Sequence, residues 1–125
     1  WTRMLTNELT NIYANPRCRR EGVQPGSGGC WPDEQVHRVL DGLQRYDIAL
    51  EVNARYRIPG FDIIRRARER GIRFTFGTNN VDADFGRLEY CLEAVERCGL
   101  TADDMWFPSM SVRRERPVVL YNRFD

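Results

Sequence analysis

The chain has 125 residues, 42% of them hydrophobic and 30% charged, with a net charge of +1 and a mean hydropathy of −0.58. This is the composition of one globular domain, large enough to bury about two thirds of its unfolded surface. It excludes a membrane span, for which no apolar run is long enough, and it lacks the strongly basic balance of a nucleic-acid-binding domain.

Trp1 to Asn7 reads as the end of a helix or an exposed remnant. Leu9 to Ala14 (LTNIYA) alternates and is partly β-branched, which predicts a strand closed by Asn15-Pro16. Arg17 to Trp31 reads as a loop, with Arg17, Arg19 and Arg20 clustered ahead of the Gly-rich run Pro25 to Gly29. That run lacks the GK[ST] ending and the strand-to-helix setting of a phosphate-binding P-loop, so it reads as a mobile rim. Pro32 opens a helix, PDEQVHRVLDGLQRY, with Val36, Val39, Leu40 and Leu43 on one face and Asp33 and Glu34 in its first turn. His37, the only histidine, borders that stripe. No neighbour completes a metal set around it, and it reads as a boundary residue.

Ala49 to Asp84 predicts a strand, a helix, a second strand and a polar loop in one run. Ile48 to Val52 is apolar except for Glu51; Asn53 begins a turn, and Pro59 suits a first helical turn. Phe61, Ile64, Ala67 and Arg68 recur at helical spacing, Gly71 stands where a helix stops, and IRFTF returns to a period of two. Parallel-sheet proteins place their chemistry beyond the carboxyl ends of strands, so Glu51 and the Gly77 to Asp84 loop are expected to open onto one mouth. Arg87 to Cys98 predicts another amphipathic helix, with Leu88, Cys91, Leu92, Val95 and Cys98 inward and Gly99 as its stop. Thr101 and Asp104 have capping-box spacing, with Asp where Glu or Gln is usual, predicting a short helix that Pro108 ends. Beyond Arg113, Arg114 and Arg116, Pro117 to Tyr121 (PVVLY) suits a last strand. Neither an internal repeat nor a second domain is visible, so residues 1–125 read as a single α/β domain.

The strand ALEVNARYRIP, then GIRFTFGTNN after a helix, then the helix RLEYCLEAVERCGLTADDMWFP together resemble the C-terminal half of the PHP family, the polymerase and histidinol phosphatase related phosphoesterases. The resemblance runs from Leu9 to Pro108. It implies parallel strands alternating with helices as part of a distorted (β/α)7 TIM-like barrel, a complete copy of which needs about twice this length. It also implies a hydrolase in which two or three divalent metals, such as manganese, zinc or iron, generate a hydroxide and clamp a phosphate. By position, the family's ligands fall on Asn15 (a His-Pro histidine), Glu51 (the strand glutamate), Asn79 (the loop aspartate) and Val81 (the loop histidine). Only Glu51 keeps ligand chemistry, because asparagine offers a neutral carbonyl and valine nothing.

These replacements lead to the expectation of a PHP-like domain with a degenerate metal site and a binding or structural role. Arg17, Arg19, Arg20 and Arg55 could bind an anionic or phosphorylated ligand at the mouth. The alternative is an active metal-dependent phosphoesterase completed by a missing N-terminal segment or a partner chain, with Glu51, Asp82 and Asp84 as metal ligands. The run NNVDAD is rich in oxygen but lacks the EF-hand pattern, and reads first as a turn whose aspartates cap the next helix. Glu51 has two readings: a surviving functional group, or a relic salt-bridged by Arg55, Arg57 or Arg73. The face of Arg65, Arg66, Arg68 and Arg70 reads as a solvated surface.

All nineteen basic residues are arginine, read first as a coding bias and second as a choice for bidentate anion binding. Cys18, Cys30, Cys91 and Cys98 contain no CxxC pair, and Cys91 and Cys98 lie two turns apart on one predicted helix, too far to bridge. Reduced thiols and the absence of a visible signal peptide point to the cytoplasm, with a Cys18 to Cys30 bridge as the alternative. Trp1 in place of methionine reads as a processed or trimmed start. Part of a barrel leaves sheet edges and helix faces open, so a second copy in a homodimer or a companion fragment is expected to cover them.

Overall fold

The computed structural model describes residues 1–14, 16 and 31–108. Asn15, Arg17, Arg19, Arg20, Cys18, Cys30, the Gly-rich run and the expected last strand lie outside the described residues. A short helix α1 (Thr2–Leu5) leads into β1 (Ile12–Tyr13), α2 (Asp33–Arg45), β2 (Ala49–Asn53), α3 (Phe61–Glu69), β3 (Phe74–Gly77), α4 (Glu89–Cys98) and a 3-10 turn at Ala102–Asp104. No helix among the described residues is long and apolar enough to cross a membrane.

The three strands form an open parallel sheet in the order β1-β2-β3, with Ile12 beside Ala49, Leu50 beside Phe74 and Val52 beside Phe76. Side chains alternate across a strand, so this register puts Leu50, Val52, Phe74 and Phe76 on one face. Ile12, Ala49, Glu51, Asn53, Thr75 and Gly77 share the other. The first face meets one core with Val36, Val39, Leu40 and Leu43 of α2, Ile63, Ile64 and Ala67 of α3, and Cys91, Ala94 and Cys98 of α4. All three long helices therefore cover the same side of the sheet, and the strands follow one another in chain order.

Arginines join neighbouring helices on the outside of this layer. Arg66 reaches Asp33 at 2.9 Å and Arg70 reaches Asp41, both tying α3 to α2; Arg68 holds Asp104 at 3.1 Å. Arg65 donates to the Arg97 carbonyl on α4 at 3.2 Å. The expected solvated arginine face is thus a belt of contacts between elements, because each acid partner stands about thirty residues away on a neighbouring element. His37 lies on the surface of α2, between Asp33 at 3.5 Å and the Arg70 guanidinium at 2.8 Å.

Several local expectations change. The first strand spans Ile12–Tyr13 rather than Leu9 to Ala14: Leu9 is exposed, and the register with β2 pairs Ile12 and Tyr13, with the Asn11 carbonyl accepting the Ala49 N–H just ahead of them. Pro59 precedes α3 instead of starting it: Gly60 is the N-cap, and the Ile58–Pro59 peptide is cis. Ile63 takes the inward place, while Arg68 points out to Asp104. On α4 the buried residues are Tyr90, Cys91, Ala94 and Cys98, and Leu88 and Leu92 are exposed. Gly71 (φ 75°) and Gly99 (φ 66°) take the left-handed conformation that ends α3 and α4. The Thr101–Asp104 capping box forms with aspartate. Burial pushes the Asp104 carboxyl up, but hydrogen bonds from Thr101 and the Arg68 guanidinium outweigh it and leave Asp104 below its ordinary value.

Candidate functional site at the carboxyl ends of the strands

Asn53 ends β2 and is buried, with 1% of its surface exposed. Its backbone exchanges hydrogen bonds with Ile58 at 2.7 and 3.2 Å, and its Oδ1 accepts the Tyr56 N–H at 3.0 Å. A buried amide needs such partners, and here they close residues 53–58 into a tight loop. The Ala54 N–H donates to the Gly77 carbonyl at 2.8 Å, which fixes that loop to the end of β3. Arg57, in the left-handed region at φ 52°, aims outward to Glu93 at 3.3 Å while its guanidinium lies 4.9 Å from the centre of the Tyr90 ring. Tyr90 stacks on Phe61 at 5.0 Å, and its hydroxyl donates to the Pro59 carbonyl. Desolvation raises the Tyr90 pKa, so the phenol stays protonated and keeps that bond.

Glu51 points to the face that the helices leave open, opposite Thr75 in the register. Its carboxylate rests against the backbone of Gly77, where a methyl group would collide with it. Gly77 is the residue that makes room, and it was legible only as a glycine at a strand end. Cys91, on the helix side of β2, donates its thiol to the Val52 carbonyl at 3.4 Å. Burial pushes that thiol up to about 11, with the Glu51 charge adding to the effect, so it stays protonated near neutral pH.

The loop after β3 is ordered by its own side chains. The Asn80 amide oxygen accepts the Gly86 N–H at 2.9 Å, and Asp82 accepts the Asp84 N–H at 3.0 Å. Asn79 sits at φ 47°, a left-handed conformation that asparagine tolerates better than most residues. Asp82 also takes both terminal nitrogens of Arg55, at 2.7 and 3.3 Å. Hydrogen bonding within this fork holds the Asp82 carboxyl below its ordinary value and raises the Arg55 guanidinium. Asp84 pairs with Arg87 at 2.5 Å.

Among the described residues, Glu51, Asn53, Arg55 and the 77–84 loop lie close together at the ends of β2 and β3. Two readings of this region change. Asp82 already occupies the fork of Arg55, so a ligand would have to displace it. Asp82 and Asp84 do not cap α4, whose N-cap is Leu88 without a side-chain cap bond. Arg55, Arg57 and Arg73, the arginines considered for Glu51, pair with Asp82, Glu93 and Asp47.

The same geometry bears on whether this chain fits the metals its resemblance implies. Asn15 lies outside the described residues, Asn79 carries no charge, and Val81 is an exposed valine. No group of three or more His, Cys, Asp or Glu side chains among the described residues could hold a metal ion. A centre of two or three cations needs several anionic or imidazole ligands converging within about 2–2.5 Å of each ion, and these residues do not fit one. No protein-family model, no curated protein and no solved structure matches this chain.

Proposed function

We propose that this chain is a PHP-like domain, an arc of the family's distorted (β/α)7 barrel, that has exchanged metal chemistry for a binding or structural role at the mouth around Glu51. The observation that carries the reading is the Arg55–Asp82 fork. A guanidinium, a fixed cation, spans the loops that follow β2 and β3, and it takes up a carboxylate that a metal would require. The strand order supports the barrel part of the proposal. Sequential parallel strands with every helix on one side make the singly wound arrangement of barrels, whereas doubly wound sheets reverse their order and carry helices on both faces.

In this reading a ligand meets Glu51, Thr75 and the polar loops, and an anionic or phosphorylated one must compete with Asp82 for Arg55. A second copy or a companion segment covers the helix-free face of the sheet. Elemental analysis of protein purified without chelators, repeated after incubation with excess manganese and zinc, tests the proposal. Less than a tenth of an equivalent of tightly held metal is expected. Near-stoichiometric metal, lost in Glu51→Gln, would overturn it in favour of a metal-dependent phosphoesterase.

A further inference from the structure

Helix α4 is apolar on two adjoining sides. Tyr90, Cys91, Ala94 and Cys98 face the core. Leu88 and Leu92, one turn apart beside them, are 37% and 62% exposed, and Phe85, three residues upstream, is 69% exposed. One exposed leucine needs no explanation, but Leu88 at the N-cap and Leu92 one turn on have the i, i+4 spacing by which helices dock, and Phe85 adds an exposed ring on the loop that leads into the helix.

The unpaired charges beside this strip have one sign, since Arg87, between Phe85 and Leu88, is held by Asp84. Glu89 stands three residues before Leu92 and Glu96 four after, so both carboxylates flank it on the helix surface. Both are exposed, and neither enters an ion pair among the described residues, whereas Asp33, Asp41, Asp47, Asp82, Asp84, Glu93 and Asp104 all hold arginines or histidine. A second copy docked here about a two-fold axis would bring Glu89 and Glu96 towards their own counterparts, and like charges in an isologous contact oppose it. The complement of this surface is apolar and basic.

We propose that the Leu88–Leu92 strip of α4 is a docking surface for an amphipathic helix of a partner protein that carries arginine or lysine beside its apolar stripe. Leu88, Leu92 and Phe85 supply the buried contacts. Glu89 and Glu96 select the partner's sign and set its orientation.

The test uses the full chain and a synthetic helical peptide with leucine at its a and d positions and arginine at the flanking ones, read by fluorescence anisotropy. The control peptide carries glutamate in place of arginine. A small surface of this kind is expected to bind the arginine peptide with a Kd on the order of tens of micromolar and the glutamate peptide at least tenfold more weakly. Leu92→Glu should weaken binding about tenfold or more, and the pair Glu89→Gln with Glu96→Gln severalfold, with a flatter salt dependence. All three positions are exposed, and an unchanged circular dichroism spectrum and melting curve would show the fold intact. Equal binding of the two peptides, or an affinity untouched by Leu92→Glu, would overturn the proposal. Dimerisation in sedimentation that Leu92→Glu abolishes would assign the strip to a second copy and overturn it too. So would protection of Leu92 from hydroxyl-radical labelling in the unbound monomer, which would give the strip to the chain itself. None of these outcomes depends on the metal content of the mouth.

Discussion

The two faces of the sheet are built from alternate residues of the same strands and are held by different forces. On the helix side Leu50, Val52 and Phe74 are almost wholly out of water and join a core that runs through three helices. Each such side chain contributes roughly 1.5–3 kcal/mol by leaving water. On the other side Glu51, Asn53, Thr75 and Gly77 are positioned by hydrogen bonds, by the absence of a side chain at Gly77, and nearby by the Arg55–Asp82 fork. The lesson is that stability and site chemistry alternate along the strand with a period of two. A polar residue on the open face can therefore be exchanged while the core stays whole.

The sharpest way to break this comparison is to truncate one residue on each face of β3. Phe74→Ala should cost about 3–5 kcal/mol in chemical denaturation, while Thr75→Ala beside it should stay within about 1 kcal/mol. Equal losses would mean that the open face is also a packed core. A smaller effect comes from the thiol under β2. Cys91 ionises near 9.0 in its ordinary state and at about 11 when buried, so the folded chain keeps a proton that the unfolded chain gives up. Its contribution is complete below about pH 8.5 and declines as pH rises towards 11, by on the order of 2 kcal/mol at the upper end. Cys91→Ala should flatten that part of the alkaline stability curve, and an unchanged slope would show that the thiol is not held neutral.

Tyr90 joins the core to the mouth, since its ring packs inward and its hydroxyl holds the Pro59 carbonyl. Tyr90→Phe should cost about 1–3 kcal/mol by orphaning that carbonyl, and amide exchange in residues 54–60 should rise with it. The smallest effect on stability belongs to Arg55→Ala, which releases Asp82 at the surface. The melting temperature should hold while amide exchange quickens in residues 78–88. A drop in global stability instead would make the fork part of the core.

Much of the fold could be read from the chain because its signals are local. The apolar spacing of Val36, Val39, Leu40 and Leu43, the glycines at 71 and 99, and the Thr101–Asp104 box each mark a helix or its end within a few residues. The interior face of α4 was less legible. Leu88, Leu92 and Val95 are as apolar as Tyr90, Cys91 and Ala94, and periodicity cannot choose between two adjoining stripes. The neighbourhood of Glu51 and the polar loop after β3 was legible in outline. Its wiring was not: Arg55 meets Asp82 across 27 residues and Arg57 meets Glu93 across 36. No spacing rule identifies which of nineteen arginines reaches which acid.

Because β1, β2 and β3 lie side by side in chain order, each strand and the helix after it rest on material synthesised just before them. Forming the sheet requires no distant segment to be inserted between neighbours. Each pairing must still close a long loop, from Ile12 to Ala49 and from Leu50 to Phe74, which slows folding, but the order of the strands permits growth by accretion as the chain leaves the ribosome. A sheet assembled this way can also gain or lose a strand-and-helix pair at either margin without rethreading the remainder.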